Sequence, residues 1–526
     1  MRTTRLWRQV CRVLVVLIVG VSIGVPVVRD VSAGPASPRR GGTLTAVVQS
    51  QIINVDGTRN GHSMLNGLLH QMVEGLVAKD PSGKVVPALA TSWEISADQK
   101  TWTFKLRANV RFHDGTRLTA DAVKRSFERL LNPQYNLDRR RFYVGIETIE
   151  AVDDLTVRFR TREPWGPLLT YFTYIAAGIL APSVSGSATV TRSVGTGPFK
   201  LEQWVPGDRL VMVRNDDYWG EKAYLDRVVY REVPEASTRV IMVEKGEADL
   251  DLEAAASEVV RLQRARSPLA IVNKPSERGL SIDFNTQKGP FKDLRVRQAF
   301  ARAIDVEAII KGVMFGQASR LRAFPGCAPG VTGCYEATNL PEYNPTKAKE
   351  LLGAAGHPDG FEMTLIYGAP RYPRHKEILT AIQGQVGKVG IRMKLVPYEW
   401  AGYINELRKT ASESTWDATS WAWASVIGDI ALNLSSRILI SNQPPNCCNI
   451  MFYVNERVDR GIKLSEVATN PRVREGILKD VQMTLSEQIP ILPLLTYNVS
   501  TIASPKIHDV EFRADEETWF LKAWKE

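Results

Sequence analysis

The stretch SVGTGPFKLEQW, Ser193 to Trp204, carries Gly195 and Gly197 at the spacing that opens a dinucleotide-binding loop. That chemistry needs a third glycine and then a helix whose first N–H groups receive the pyrophosphate. Here Pro198 follows Gly197 and removes one of those N–H groups. Phe199, Leu201 and Gln203 then alternate with Lys200, Glu202 and Trp204, which is a strand pattern. No G-x-x-x-x-G-K-[ST] occurs anywhere in the chain. The glycines read as a turn feeding a strand, and the nucleotide reading fails.

Hydrolytic and metal chemistry are served no better. His62, His70, His113, His357, His375 and His508 form no H-E-x-x-H or comparable cluster, and no G-x-S-x-G is present. His113-Asp114 has the types of an acid–base pair, but Asp114-Gly115 also makes a turn. No histidine stands at zinc-ligand spacing from any cysteine. The sequence calls for no cofactor.

Elements that could position a site begin after an export leader. Arg2, Arg5, Arg8 and Arg12 precede an apolar run from Val13 to Val28, interrupted by Gly20, Gly24 and Pro26. Val31-Ser32-Ala33 then supplies a small-residue cleavage site, so residues 1–33 read as a signal peptide. The rival reading, an uncleaved anchor, needs a longer run, about 20 apolar residues. Cys11 lies before the apolar run, where a lipid-attachment cysteine would not be. The expected location is therefore the periplasm, as a freely diffusing protein. Export permits disulfides among Cys327, Cys334, Cys447 and Cys448. Cys327 and Cys334 flank a flexible loop with Pro329, Gly330 and Gly333, whereas Cys447 and Cys448 either bond to each other or reach elsewhere.

At 526 residues the chain exceeds one folding unit, and 44% hydrophobic with 24% charged residues suits a globular protein with large cores. The net charge of +10 is dispersed without interleaved aromatics, which argues against nucleic-acid binding. GGTLTAVVQ, TWTFKL and DLTVRF alternate like strands. Thr119 is placed to cap a helix with Val123, Phe127 and Leu130 on one face. Val296, Phe300, Ala303 and Ile304 share a helical stripe within FKDLRVRQAFARAIDVEAIIKGVMFG. Asn344 and Pro345 start a further helix that stops at Gly356. Strands mixed with helices, without a repeat, predict α/β lobes.

The continuation GTGPFKLEQWVPGDRLVMVRNDDYWG resembles a signature of the extracytoplasmic solute-binding proteins of peptide and nickel importers of the ATP-binding-cassette (ABC) type. The blocks Glu74–Leu130, Val233–Leu250, Phe284–Asp305 and Tyr343–Gly356 are similar to further family blocks in the same order. The resemblance implies a two-lobed periplasmic-binding-protein fold with an enlarged first lobe and a two-strand hinge. Lobe I is expected over 41–279 with a return segment 496–526, and lobe II over 280–495. The crossings are expected near Gly279–Asn285 and Leu494–Ser500. RFHDG matches a structural turn of the family, which removes His113-Asp114 as a catalytic pair and implies a binding protein, not an enzyme.

The resemblance further implies a monomer that delivers a peptide or other small solute to permeases in the inner membrane. A metal chelate as ligand, or a sensory receptor as partner, stays open. WDATSWAWASVIGD resembles the ligand-facing segment of dipeptide binders, where two aspartates follow a tryptophan. Aligned on Trp423, that pattern puts Val426 at the amino-binding position and Asp429 at the second aspartate. Arg371, two residues beyond the matching carboxylate-binding position at Ala369, either holds a ligand carboxylate or is a surface arginine. Trp421 and Trp423 share a strand face and, with Tyr398, Trp400, Tyr403 and Trp416, make this region aromatic; Trp421 also suits the core. Asn285, Tyr398, Trp421, Trp423, Val426, Asp429 and Arg371 are thus the candidate ligand-binding residues. His375 is a candidate for a metal-chelate role or a surface residue.

Overall fold

Two long strands organise the molecule. Ala270–Phe284 and Ile491–Ala503 pair antiparallel from Ala270 opposite Ala503 to Asp283 opposite Ile491, with register shifts between Pro275 and Gly279 and between Leu280 and Ser281. The computed structural model describes residues 37–59, 63–337, 339–369, 371–446, 448–513 and 516–526. The leader expected over 1–33, His62 and Cys447 lie outside these residues. No helix among the described residues is long and apolar enough to cross a membrane.

On either side of the long pair the sheet extends into a different core; with the short Ala318–Arg320, which pairs with Ile491–Ala503, it has eleven strands among the described residues. Toward one edge lie Ala418–Trp423, Phe361–Gly368 and Ile391–Tyr398; toward the other lie Leu250–Asp251, Thr43–Val48, Arg227–Glu232, Arg209–Arg214 and Phe199–Val205. Leu280, Ile282, Phe284, Leu492, Leu494 and Tyr497 pack with the helices of the middle block. Ile502 and Ala503, at the other end of the same strand, pack with residues 44–252 and with Ile507, Phe520 and Ala523. The chain passes between the cores along 272–279 and 498–501, and a two-lobed α/β architecture results.

The first lobe carries a separate antiparallel sheet of Ala90–Ile95, Thr101–Leu106, Thr156–Thr161 and Ile146–Asp153. The helix Ala120–Leu131 packs on it, with Phe127 against Phe159 and Phe172 at ring distances of 4.8 and 5.0 Å. Thr119 caps that helix as its sequence predicts, its Oγ1 accepting from the Ala122 N–H. Asn344 likewise accepts from the Lys347 N–H and starts Pro345–Ala354. The stripe beginning at Val296 divides into two helices, Leu294–Arg302 and Val306–Gly312. The Asp305 carboxylate accepts from the Ala308 N–H and begins a new helix where the apolar period continues unbroken.

The glycines of GTGPF have a packing role. A Cβ on Gly195 would stand 2.3 Å from the Met72 carbonyl oxygen, and one on Gly197 2.5 Å from that of Gln71. The backbones meet there through Gly197 N–H to Met72 O and Phe199 N–H to Gln71 O, each 3.0 Å. His113 donates its Nε2–H to Gly197 O at 3.0 Å, and burial lowers its pKa to about 4. It is a neutral tie within this turn.

Candidate functional site

A cavity of about 220 Å³ lies between the two lobes. The first lobe lines it with His70, Glu74, Lys79, Arg513, Glu517 and Trp519, and the second closes it with Ser425, Val426, Ile427 and Gly428. A second cavity of about 410 Å³ follows the crossing strands past Lys274, Tyr497, Asn498 and Ser500, and shares Arg513 and Glu517 with the first. Contacts between the lobes bring the walls together. Lys79 Nζ donates to Gly428 O at 3.2 Å, Gly166 N–H to Glu466 O at 2.7 Å, and Thr469 Oγ1 to Gln99 Oε1 at 2.6 Å. Ile427 packs directly into the core of the first lobe.

The loop 425–428 is buttressed from behind. Thr332 donates its N–H to Gly428 O and accepts the Ile430 N–H at Thr332 O, at 2.9 and 3.0 Å. Thr332 belongs to the loop closed by a Cys327–Cys334 disulfide, with Cα atoms 5.5 Å apart. Cys448 is also disulfide-bonded. Asp429 ends the cavity loop and starts the helix Ile430–Ile438, its Oδ1 accepting from the Ala431 N–H.

Asp429 does not face a ligand, and the expectation that it does is corrected. It is fully buried, and Arg474 holds both its oxygens at 2.9 and 2.7 Å. With the Ala431 N–H, these bonds fill three of its roughly four acceptor positions inside the protein. Asn285 is also misplaced as a cleft residue. It lies buried at the opposite end of its strand, six residues and so roughly 20 Å beyond Gly279, bonded to Ser414 Oγ and the Gln287 N–H. His375 is neither a surface residue nor free to reach the cleft; it sits in the core of the second lobe, Nε2 is 2.9 Å from Ser420 Oγ, and burial lowers its pKa to about 4. No cluster of histidine, cysteine or carboxylate side chains suited to a metal occurs among the described residues.

Val426 lines the cavity and is 41% exposed. Trp421 and Trp423 stack at 4.6 Å with planes 10° apart, both half-buried. Trp400 meets Trp421 edge-on at 5.7 Å, and the exposed Arg371 lies over Trp400 at 4.6 Å. Tyr398 is half-buried beside the same cluster. Arg371, Tyr398, Trp421 and Trp423 border neither of the two cavities described here. The far face of Trp423 rests on the fully buried Arg437, whose Nη2 donates to Asp283 while Nε and Nη1 find no partner. Burial raises the Asp283 pKa and lowers that of Arg437 to about 10.

Charged groups on the first-lobe wall lie outside the sequence-derived candidates. His70 Nδ1 stands 3.0 Å from Glu517 Oε1, and Arg513 covers the Trp519 ring at 4.3 Å. Glu74 accepts from Tyr218, Trp219 and Thr196, and burial still raises its pKa. Lys79 had a signal, since it stands in EGLVAKD in the first of the family-like blocks. Arg513, Glu517 and Trp519 had none, because a return segment far along the chain delivers them.

Residues 84–436 match the model of the bacterial extracellular solute-binding proteins, family 5 (middle region). The glutathione-binding protein GsiB of Salmonella typhimurium is 27% identical over 457 residues, 86% of this chain and 88% of that protein. DppA of Helicobacter pylori, a periplasmic binding protein solved with the peptide STSA, is 28% identical with a TM-score of 0.70, covering 93% of this chain and 99% of that one. HbpA2 of Haemophilus parasuis superposes at a TM-score of 0.81 with 24% identity, covering 92% and 100%, and shows the shared fold. With the family model matched over most of its length and the two-lobed fold shared, the chain belongs to the bacterial extracellular solute-binding proteins, family 5.

Proposed function

We propose that the protein is the periplasmic solute-binding component of an ABC importer, working as a monomer that captures a peptide or peptide-like solute between its lobes. The observation that carries this reading is the cavity with walls from both lobes, which two strand crossings connect among the described residues. A solute touching both walls favours the closed arrangement by its differential affinity, and the permease then meets a loaded, closed protein. A lobe boundary near 279/280 fits the change of core along the first crossing strand; along the second, Tyr497 still packs with the middle block, which favours a boundary past the expected 495/496, along 498–501. The peptides or glutathione of the related proteins make a peptide the first expectation.

Terminal recognition differs from a dipeptide binder of the expected pattern. Val426 offers no charge to a free amine, and Arg371 lies on Trp400. Native mass spectrometry of the protein purified from the exported fraction without denaturant tests the proposal. A distribution of added masses matching short peptides supports it; one discrete added mass of a metal chelate overturns the peptide and keeps the fold.

A further inference from the structure

Resting on that reading, we infer that Lys79 is the anion-reading group of the cleft, and that the solute carries a carboxylate held against the first-lobe wall. Lys79 ends the strand Val77–Lys79 and is half-buried, with its side chain lining the cavity. An ammonium group has three N–H donors. Its recorded bond goes to Gly428 O at 3.2 Å, and no carboxylate among the described residues comes within 4.0 Å of Nζ.

The other charges around the cavity are engaged with the protein. Glu74 accepts three hydrogen bonds, Glu517 faces His70, and Arg513 is bonded to Glu511 and the Lys79 carbonyl. Glu277 is buried in the same wall, so the cavity is not uniformly positive. What distinguishes Lys79 is position: a cation at the seam, removed in part from water and lacking an anionic partner, is stabilised by a ligand that brings one.

Residue 428 reinforces the assignment. Gly428 has φ +71°, and a Cβ there would stand 1.9 Å from Lys79 Nζ. Glycine lets the ammonium lie along the second-lobe loop, beside Val426. The same group therefore meets the solute and the closing lobe, and a bound carboxylate orders Lys79 where it also holds Gly428 O. Anion recognition and closure are coupled through one side chain. This moves carboxylate recognition away from Arg371, to the opposite lobe.

The test uses full-length mature protein, wild type and the Lys79→Met and Lys79→Arg variants, each first checked for an unchanged melting temperature. Each is offered three pools and read by native mass spectrometry: tripeptides with free C-termini, the same tripeptides amidated, and small non-peptide carboxylic acids. Amidated members with Asp or Glu side chains separate a terminal carboxylate from a side-chain one. The inference predicts that wild type retains carboxylate-bearing members, that Lys79→Met weakens them roughly 10- to 100-fold, and that Lys79→Arg restores most of the loss. Equal retention of members with and without a carboxylate, or an unchanged preference in Lys79→Met, overturns it. Retention of only the non-peptide acids, with loss in Lys79→Met, keeps Lys79 and overturns the peptide reading. Retention of no carboxylate-bearing member from any pool overturns Lys79 itself.

Discussion

The two walls of the cleft hold charge differently. On the second lobe, Asp429 and Asp283 lie fully buried and each is held by an arginine of its own lobe. On the first, His70, Lys79, Arg513 and Glu517 line the cavity itself. The second wall thus uses ion pairs to hold its loop and its tryptophans in place and presents Val426 to the cavity. Charge recognition falls to the first wall. An aspartate counted from a family pattern is therefore not a ligand anchor until its partners are known.

The largest effect expected is at the pair behind the cavity loop. Arg474→Met leaves Asp429 buried without its bidentate partner and is expected to cost about 3–5 kcal/mol, read by denaturant unfolding. Asp283 and Arg437 provide the contrast, because Nε and Nη1 of that arginine are unpartnered. The double change Asp283→Leu with Arg437→Met is expected to be neutral, or to stabilise by about 1–4 kcal/mol. A loss as large as that of Arg474→Met would show that both pairs hold the wall equally, and the comparison would fail there.

Acid acts on both lobes, through a histidine of lowered pKa in each. His113 and His375 have pKa values lowered from 6.5 to about 4, so the unfolded chain binds more protons than the folded one between those values. Stability is complete above pH 6.5 and falls as the pH drops toward 4, by on the order of 3 kcal/mol for each residue. His375→Gln should flatten part of that slope in a pH series of melting curves; an unchanged slope removes His375 from the account.

Smaller changes sharpen the contrast of the walls. Val426→Asp puts a carboxylate on the second wall and is expected to strengthen binding of a free-amine peptide by about 1.5–3 kcal/mol, measured by calorimetry. Arg371→Ala removes a cation from the Trp400 face and should change stability by only about 0.5–1 kcal/mol, with solute affinity unchanged. A tenfold loss of affinity instead would return carboxylate binding to the second wall.

Much of the fold was legible because local rules and tertiary packing agree: Thr119 and Asn344 cap where they should, and Trp102, Phe104 and Leu106 face inward along one strand. The split at Asp305 was less visible, since an apolar stripe continues through a capped break. Val426 is singled out in the sequence through the family pattern alone. Arg474 as the partner of Asp429, 45 residues along the chain, could not be read from spacing. Nor could the arrival of Arg513 and Glu517 from a return segment, because such juxtapositions arise only when distant strands pair.

A crystal structure of the protein with its co-purified solute tests the central claim most directly. The account predicts solute density between Lys79 and Val426, enclosed by both lobes, with an anionic group at Lys79 Nζ. Density lying on Arg371, Trp400 and Trp421, with the cavity between the lobes left to water, would contradict it.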